Sequence, residues 1–403
     1  MEQKAILCVA SYFKGADFII QAKASGNLVY LLTADTLKEA EWPWEAIDDV
    51  FYLPLDDHHN WNWLDMERGL AFVMRSRPID VIVALDDFDV EKAAHLREIF
   101  RVPGMGDTTA RYFRDKLSMR TRAFETGIPA PPFTSLFSDR RINEFLDRTQ
   151  PPWMIKPRGE ASATGIRKVN DKESFWETVH GLGDDRHRFL AESFIPGSIY
   201  HVDAITFKGE NVFACVSKYL DTPFEVAHGG GIFRSMILAK DNPDAIALIE
   251  HNQALMKAFN MRQSASHSEW VRSHETGEFY LIETASRVGG AHLAEMINLA
   301  TNVNLWKEWA KLESAVARHL EYQLPELQHI PTGIIISLAK MEHPQPDFYR
   351  DSDVVWSIKK AHHIGCIIQG DSEEYIKNRL DELAWHIKEH FHAAIPPAIK
   401  PLH

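Results

Sequence analysis

Two acidic residues lie on neighbouring segments that are predicted to form the two strands of a hairpin. Glu269 and Glu283 flank a turn marked by Glu275-Thr276-Gly277, and both lie in runs of strand-forming residues. Because side chains alternate along a strand, Glu283 and Arg287 are expected on one face. Two carboxylates on adjacent strands can hold Mg²⁺, which takes oxygen ligands and completes its shell with water and phosphate oxygens. An exposed hairpin with an ordinary glutamate–arginine surface pair is the alternative interpretation.

A segment of small residues follows a strand-like run that ends near a lysine. Lys156 comes shortly before the segment Gly159–Gly165, which contains Ser162. Small residues let backbone N–H groups approach a phosphate closely, and the lysine adds a positive charge. The segment is not a P-loop, because no Lys-Ser or Lys-Thr follows it. It is either a phosphate-binding flap or a surface hairpin with a flexible tip.

Two further connections are candidates for ligand contact. At the end of a predicted strand, Glu192 and the backbone through Phe194 and Ile195 could bind the edge of an adenine. A plain strand end is the alternative. Residues 223–231 form a glycine-rich connection between two predicted strands, which could close over a substrate and exclude water or be an idle loop.

Hydrophobic patterning divides the chain into regions that must position these residues. Residues 1–105 alternate strands and helices, which predicts a parallel, Rossmann-like sheet. No GxGxxG follows the first strand, so a nicotinamide-dependent oxidoreductase is poorly supported. A run of antiparallel strands follows from residue 189 to residue 285, and residues 326–403 pair two strands with a terminal helix.

Composition limits the class of protein. The net charge of −13 disfavours nucleic-acid binding, which needs clustered lysine and arginine. No apolar run approaches the length of a membrane span, and the N-terminus has no secretory signal pattern. The three cysteines are far apart in the sequence and fit a reducing cytoplasm.

These segments, in this order, resemble the ATP-grasp superfamily, and within it the carboxylate–amine ligases of the L-amino-acid-ligase type. The resemblance covers roughly residues 1–400, and its sharpest matches lie between Arg114 and Gly290. It implies α/β and α+β domains: a Rossmann-like domain (1–105), a small ATP-grasp lobe with a glycine-rich flap (106–185), a large lobe with the metal site (186–325) and a C-terminal α/β extension (326–403).

The resemblance also implies a role for each matching residue. Arg287 steadies the transferred phosphate, and Glu269 and Glu283 ligate the metal. The implied nucleotide contacts are Lys116 and Lys156 on the phosphates, Gly159, Ser162 and Gly165 in the flap, and Glu192, Phe194 and Ile195 at the adenine hinge.

Two positions depart from the family pattern. Ala285 stands where relatives commonly have an asparagine that ligates the metal, and several branches tolerate a small residue there. Ile199 stands where many relatives have a glutamate that holds the ribose hydroxyls. His201 and Asp203 are the nearby candidates to replace that contact.

The expected reaction joins a small carboxylate to an amine with ATP and Mg²⁺, or Mn²⁺ in its place, releasing ADP and phosphate. Phosphorylation supplies the leaving group that a carboxylate lacks. The alternatives are an ATP-grasp enzyme with another nucleophile, either a carboxylase or a thioester-forming ligase, and a nucleotide-binding regulatory module without catalysis. The oligomeric state stays open, with a homodimer as the common state of such ligases.

Overall fold

The structure is a computed structural model, and it describes residues 3–56, 60–160 and 164–393, with side chains for all of these except 227–229. Within these residues, none of the helices combines the length and the apolar character that a bilayer crossing requires. The described chain forms three sheets with helices packed against them.

The first sheet is parallel and has the strand order β3-β2-β1-β4. Strands β1, β2 and β4 are buried apolar runs, as expected for a parallel sheet covered by helices, and the edge strand β3 is half-buried. The chain crosses from one side of β1 to the other before β4, so the loops after β1 and β4 meet at the carboxyl edge. The elements are β1 Ala5–Ala10, α1 Ala16–Ala24, β2 Leu28–Ala34, β3 Asp49–Leu53, α2 Trp63–Val73, β4 Val81–Ala84 and α3 Val90–Phe100.

The second sheet, here called the small sheet, is antiparallel with the order β5-β8-β6-β7. Two helices lie between residues 107 and 126, and the Asp115 side chain caps the second at its N-terminus. The elements are α4 Asp107–Arg111, α5 Lys116–Thr126, β5 Phe133–Ser135, α6 Asp139–Arg148, β6 Trp153–Pro157, β7 Arg167–Val169, α7 Lys172–Gly181 and β8 Phe189–Ser193.

The third sheet, here called the large sheet, has the order β13-β12-β9-β10-β11-β14-β16-β15, and its neighbouring strands are antiparallel. Its first seven elements are β9 Gly197–Phe207, β10 Glu210–Tyr219, α8 Pro223–Gly229, β11 Phe233–Ile237, α9 Pro243–Ala258, β12 Gln263–Ser273 and β13 Phe279–Ala285. The remaining elements are α10 Leu293–Thr301, α11 Leu305–Ala317, β14 Thr332–Leu338, β15 Val354–Ser357, β16 His363–Gln369 and α12 Glu373–His390.

Two expectations about this region need correction. Residues 223–231 were expected to be a glycine-rich loop, but Pro223–Gly229 forms α8. Thr222 caps α8 and Pro223 lies in its first turn, where a proline is tolerated. Strand pairing also puts the change of sheet after Ser193, because β8 pairs with β5 and β6 rather than starting the large lobe at residue 186.

The C-terminal strands continue the large sheet. Strand β14 pairs with β11, and β16 pairs with β14. One apolar core joins Met236 of β11 to Ile335 of β14 and Leu380 of α12. A second core joins the N-terminal sheet to the large sheet through Phe18 of α1 and Trp309 of α11, whose ring centroids are 5.1 Å apart. The large sheet and the N-terminal domain therefore hold fixed positions around the site.

Candidate active site

A cleft with a volume of about 500 Å³ lies between the small and large sheets, within the usual range for small-molecule sites. It is lined from both sides and from α8. The predicted site residues that line it are Lys116, Lys156, Glu192, Phe194, Ile195, Glu269, Glu283 and Arg287. The structure therefore brings together residues that lie as far apart as positions 116 and 287.

The two glutamates lie directly opposite each other in the register of β12 and β13. Opposed like charges repel, and the surroundings offset this repulsion. The Tyr219 hydroxyl donates to Glu269 Oε1 at 3.0 Å, and Lys116 Nζ lies 2.9 Å from Glu283 Oε2. Burial raises the pKa of Glu283, but Lys116 and then Lys156 and Arg287 outweigh it and hold that pKa well below its usual range. Glu283 is thus poised as a carboxylate.

This pair fits a magnesium ion. The two side chains offer carboxylate oxygens from adjacent strands, and the open cleft leaves room for the water and phosphate oxygens that Mg²⁺ retains. Ala285 is 7% exposed at the end of β13 and supplies no ligand oxygen from its side chain.

Lys156 and Glu192 form a buried ion pair across β6 and β8. Arg120 of α5 completes it, with Nε donating to Glu192 Oε2 at 3.0 Å. Burial raises the pKa of Glu192, but Arg120 and Lys156 lower that pKa by more than burial raises it, so the net shift is downward. The Glu192 carboxylate was expected at the adenine edge. In the structure the Glu192 carboxylate is paired with Lys156, the candidate phosphate-binding lysine. The backbone after β8 is therefore the candidate adenine contact.

Lys116 owes its place to the start of α5. It is the first residue of the helix, and the Asp115 side chain accepts from the N–H groups of Leu117 and Ser118. Arg158 pairs with Asp115 and so ties the strand end after β6 to the same point. Lys116 Nζ donates to the carbonyl oxygen of Glu160 at 2.7 Å. Lys116 therefore links the hairpin of β12 and β13 to the edge of the glycine-rich segment.

The glycine-rich segment is described only at its two ends. A Cβ on Gly159 would meet open space, whereas Gly165 has φ +71° and a Cβ there would lie 2.9 Å from the Pro157 ring. Gly165 therefore favours glycine on two counts, strain and space. Ser162 lies outside the described residues, and its predicted phosphate contact stays a prediction.

Apolar side chains surround the hinge end of the cleft. Phe194 and Ile195 follow β8, and Met154, Ile166 and Ile282 line the same cleft. Lys168 Nζ lies 3.8 Å from the Phe194 ring centroid, a distance at which a cation is attracted to the ring. A flat apolar slot with a nearby donor suits a purine base.

Arg287 lies just after β13 and reaches the N-terminal domain. Its Nη1 donates to the Val288 carbonyl oxygen at 2.8 Å, and its Nε lies 4.0 Å from Asp87 Oδ1. Burial lowers the pKa of Arg287, but Asp87, Asp86 and Glu283 raise it to a net upward shift. The guanidinium therefore stays charged, as a group facing phosphate must.

His201 and Asp203 were expected to contact the ribose, and the structure contradicts this expectation. Both are fully buried and form a network with His267. His201 Nδ1 lies 2.7 Å from Asp203 Oδ2, and His267 Nδ1 lies 2.9 Å from Asp203 Oδ1. Burial lowers the pKa of His267, but Asp203 raises it to about 10. The network lies on the same face of the large sheet as Glu269. His267 lines the cleft, with Nε2 3.7 Å from Glu269 Oε1, whereas His201 and Asp203 are sealed from it.

Sequence reasoning missed four side chains at or beside the site: Asp86, Asp87, Arg120 and Tyr219. The two aspartates directly follow the buried strand β4, and acids at the carboxyl end of a parallel strand beside a change in strand direction are a recognisable signal. Arg120 and Tyr219 carry no such signal, because their partners come from segments 72 and 50 residues away.

Comparisons with known proteins agree with this geometry. No family model matches the chain. It is 28% identical over 248 residues to the L-arginine-specific L-amino acid ligase of Bacillus subtilis, covering 60% of this chain and 59% of that protein. It is 26% identical over 114 residues to the D-alanine–D-alanine ligase of Neisseria gonorrhoeae, 28% of this chain and 38% of that protein. The chain thus matches about three fifths, or less, of these relatives' lengths.

Solved structures match over almost the whole chain. The L-amino acid ligase of Bacillus licheniformis superposes with a TM-score of 0.73 at 17% identity, covering 99% of this chain and 100% of that one. The N5-carboxyaminoimidazole synthetase of Staphylococcus aureus complexed with ADP superposes with a TM-score of 0.71 at 12% identity, covering 95% and 98%. The chain therefore has the fold of the ATP-grasp enzymes, and L-amino-acid ligases are among the proteins that it resembles in sequence and structure.

Proposed function

We propose that the chain is an ATP-dependent carboxylate–amine ligase that makes an amide bond and releases ADP and phosphate. The observation that carries this proposal is the pair of opposed carboxylates, Glu269 and Glu283, inside a cleft that also holds Lys116, Lys156 and Arg287. Two acids and three cations around one space suit a metal–triphosphate. The relatives named above support amino acids as the class of substrate.

The reaction divides into two displacement steps. A carboxylate oxygen attacks the γ-phosphorus, the bond between that phosphorus and the β–γ bridging oxygen breaks, and ADP leaves. The amine nitrogen then attacks the acyl carbon, the C–N bond forms, phosphate leaves, and the nitrogen gives up a proton. The first step brings a carboxylate to a phosphate, and the second develops negative charge on the acyl oxygen and the leaving phosphate. Stabilisation by fixed positive groups is therefore the main demand on the site.

The residues of the cleft meet that demand. Lys116 and Lys156 are held by Glu283 and Glu192 and are placed to bind the phosphates. Arg287 is placed to bind the oxygens of the phosphoryl group in transfer. Bound Mg²⁺, with Mn²⁺ as a substitute, would be held by Glu269 and Glu283 and would neutralise phosphate charge.

Helix α8 is the proposed cover of the cleft. Phe224, Glu225 and Val226 line the same cleft as Glu269 and Glu283. An acylphosphate hydrolyses in water, so an apolar cover protects the intermediate until the amine arrives.

An ADP-release screen tests the proposal. The protein is incubated with Mg-ATP and pairs of amino acids and small acids, and ADP, phosphate and the condensed product are quantified together. We expect equal amounts of the three for at least one pair, and a loss of about 10²–10³ in rate for Lys156→Ala. AMP and pyrophosphate as products, or ATP binding without turnover across the panel, would overturn it.

A further inference from the structure

Asp87 of the N-terminal domain and Arg287 after β13 lie slightly too far apart for a hydrogen bond. Asp87 Oδ1 and Arg287 Nε are 4.0 Å apart, and each atom is buried with no hydrogen-bond partner among the described residues. Buried polar atoms are nearly always paired. A shortening of roughly 1 Å would give a hydrogen bond of normal length.

Asp87 is also fixed from its other side. Arg114 Nη1 lies 3.4 Å from Asp87 Oδ2, and the Arg114 guanidinium lies 4.5 Å from the Phe88 ring centroid. Arg114 comes just before the Asp115 cap and Lys116. One carboxylate from the N-terminal domain thus stands between the start of α5 and the arginine after β13.

The neighbouring acids Asp86 and Asp89 already have hydrogen-bond partners, whereas Asp87 Oδ1 has none among the described residues. Asp86 pairs with Lys14 and accepts from the Phe88 N–H at 3.0 Å. Asp89 accepts from Ser11 and lies 2.8 Å from Lys92 Nζ.

We propose that Asp87 is a positioning residue that accepts a hydrogen bond from Arg287 Nε and so aims the Arg287 guanidinium at the phosphoryl group in transfer. Arg287 lies on a turn after a strand end, where its long side chain would otherwise sample several rotamers. Nη1 already donates to the Val288 carbonyl oxygen, so holding Nε leaves Nη2 and the second Nη1 hydrogen for phosphate oxygens. The N-terminal domain then contributes to catalysis without touching the nucleotide. The inference rests on the proposed ligase function.

A double-mutant cycle tests this inference. Rates of ADP formation are measured for wild type, Asp87→Asn, Arg287→Ala and the combined variant. If Asp87 acts through Arg287, Asp87→Asn lowers kcat by about 10–100-fold, as loss of an outer-shell partner typically does. The combined variant is then no slower than Arg287→Ala alone, because the two residues act as one unit. Losses that multiply in the combined variant would overturn the assignment.

Two further variants separate positioning from a merely structural role. Asp80→Asn removes a carboxylate paired with Lys4 at the opposite end of β4, and we expect its kcat to match wild type. Asp87→Glu keeps the charge and should recover part of the kcat lost in Asp87→Asn. If it recovers none, or if Asp80→Asn is equally slow, the inference fails. A wild type that forms no ADP would overturn the proposed function and the inference with it.

Discussion

Charge compensation is the dominant feature at the scale of single residues. Each candidate phosphate-binding lysine is paired with a carboxylate in the structure, Lys116 with Glu283 and Lys156 with Glu192. A buried charge without a partner is costly, so these pairs keep the lysines in place when no anion is bound. Binding of a metal–triphosphate would exchange partners within the same cluster and leave few charges unpaired.

Replacing Glu283 with glutamine tests the metal role directly. The amide keeps the size of the side chain but removes its charge, so we expect kcat/KM for ATP to fall by about 10²–10³. The apparent affinity for Mg²⁺ should fall with it. ADP formation measured over a range of Mg²⁺ concentrations reports both effects.

Glu278→Gln is the matched control, because Glu278 is exposed on the same hairpin and its side chain accepts from the Tyr280 hydroxyl at 3.2 Å. Equal losses in the two variants would count against a metal role for position 283.

The sequence predicted the membership of the cleft better than its internal pairing. Residue type and order identified Glu269, Glu283, Lys156 and Arg287, and all four line the cleft. It could not predict that Glu192 pairs with Lys156, because that contact depends on how two separate strands align.

At the scale of elements, helix α5 positions a candidate phosphate-binding lysine, Lys116, in its first turn. Asp115 caps the helix and holds Arg158, and Lys116 follows immediately. Loss of this cap should therefore reach the site as well as the fold.

Asp115→Ala is expected to destabilise the protein by about 1 kcal/mol, as loss of an N-cap typically does. The Kd for Mg-ATP should also rise, because Lys116 loses its fixed starting point. Thermal unfolding and nucleotide titration measure the two effects.

Asp171→Ala is the control for this experiment. Asp171 caps α7 in the same way by accepting from the Ser174 N–H, but α7 is remote from the cleft lining. It should lower stability by a similar amount and leave the Kd for Mg-ATP unchanged. A matching rise in Kd would mean that any cap loss weakens binding.

Helix α8 makes a separate prediction about coupling. Phe224→Ala opens the cover of the cleft, so more of the acylphosphate should hydrolyse before the amine attacks. We expect the ratio of ADP to condensed product to rise above one, with the rate of ADP formation little changed. Phe72→Ala, which truncates a 67% exposed phenylalanine in the N-terminal domain, should keep the ratio at one. An unchanged ratio in Phe224→Ala would contradict the proposal that α8 protects the acylphosphate from water.

At the scale of the whole molecule, most elements could be predicted but their assembly could not. The parallel sheet expected within residues 1–105 and the terminal helix expected within residues 326–403 both form, because each has a clear periodicity. The order of the strands in each sheet could not be predicted from the hydrophobic pattern of the sequence. Residues 326–403 were expected to be an extension, whereas β14, β15 and β16 complete the large sheet.

A chain ending at residue 325 tests that last point. It would leave the edge of β11 unpaired and expose apolar side chains such as Met236 that pack against Ile335 and Leu380. We expect this chain to aggregate, since unpaired edges and exposed cores promote association. A monodisperse truncated chain with wild-type affinity for Mg-ATP would show that the large sheet is complete without those strands.

The central claim is that one cleft holds a metal–triphosphate between two opposed carboxylates and three cations. A crystal structure with Mg²⁺ and a non-hydrolysable ATP analogue measures this most directly. We predict a metal ion bound by Glu269 and Glu283, with the γ-phosphate within reach of Arg287 and of Lys116 or Lys156. A nucleotide bound outside the cleft, or a metal ion held without either glutamate, would contradict the account.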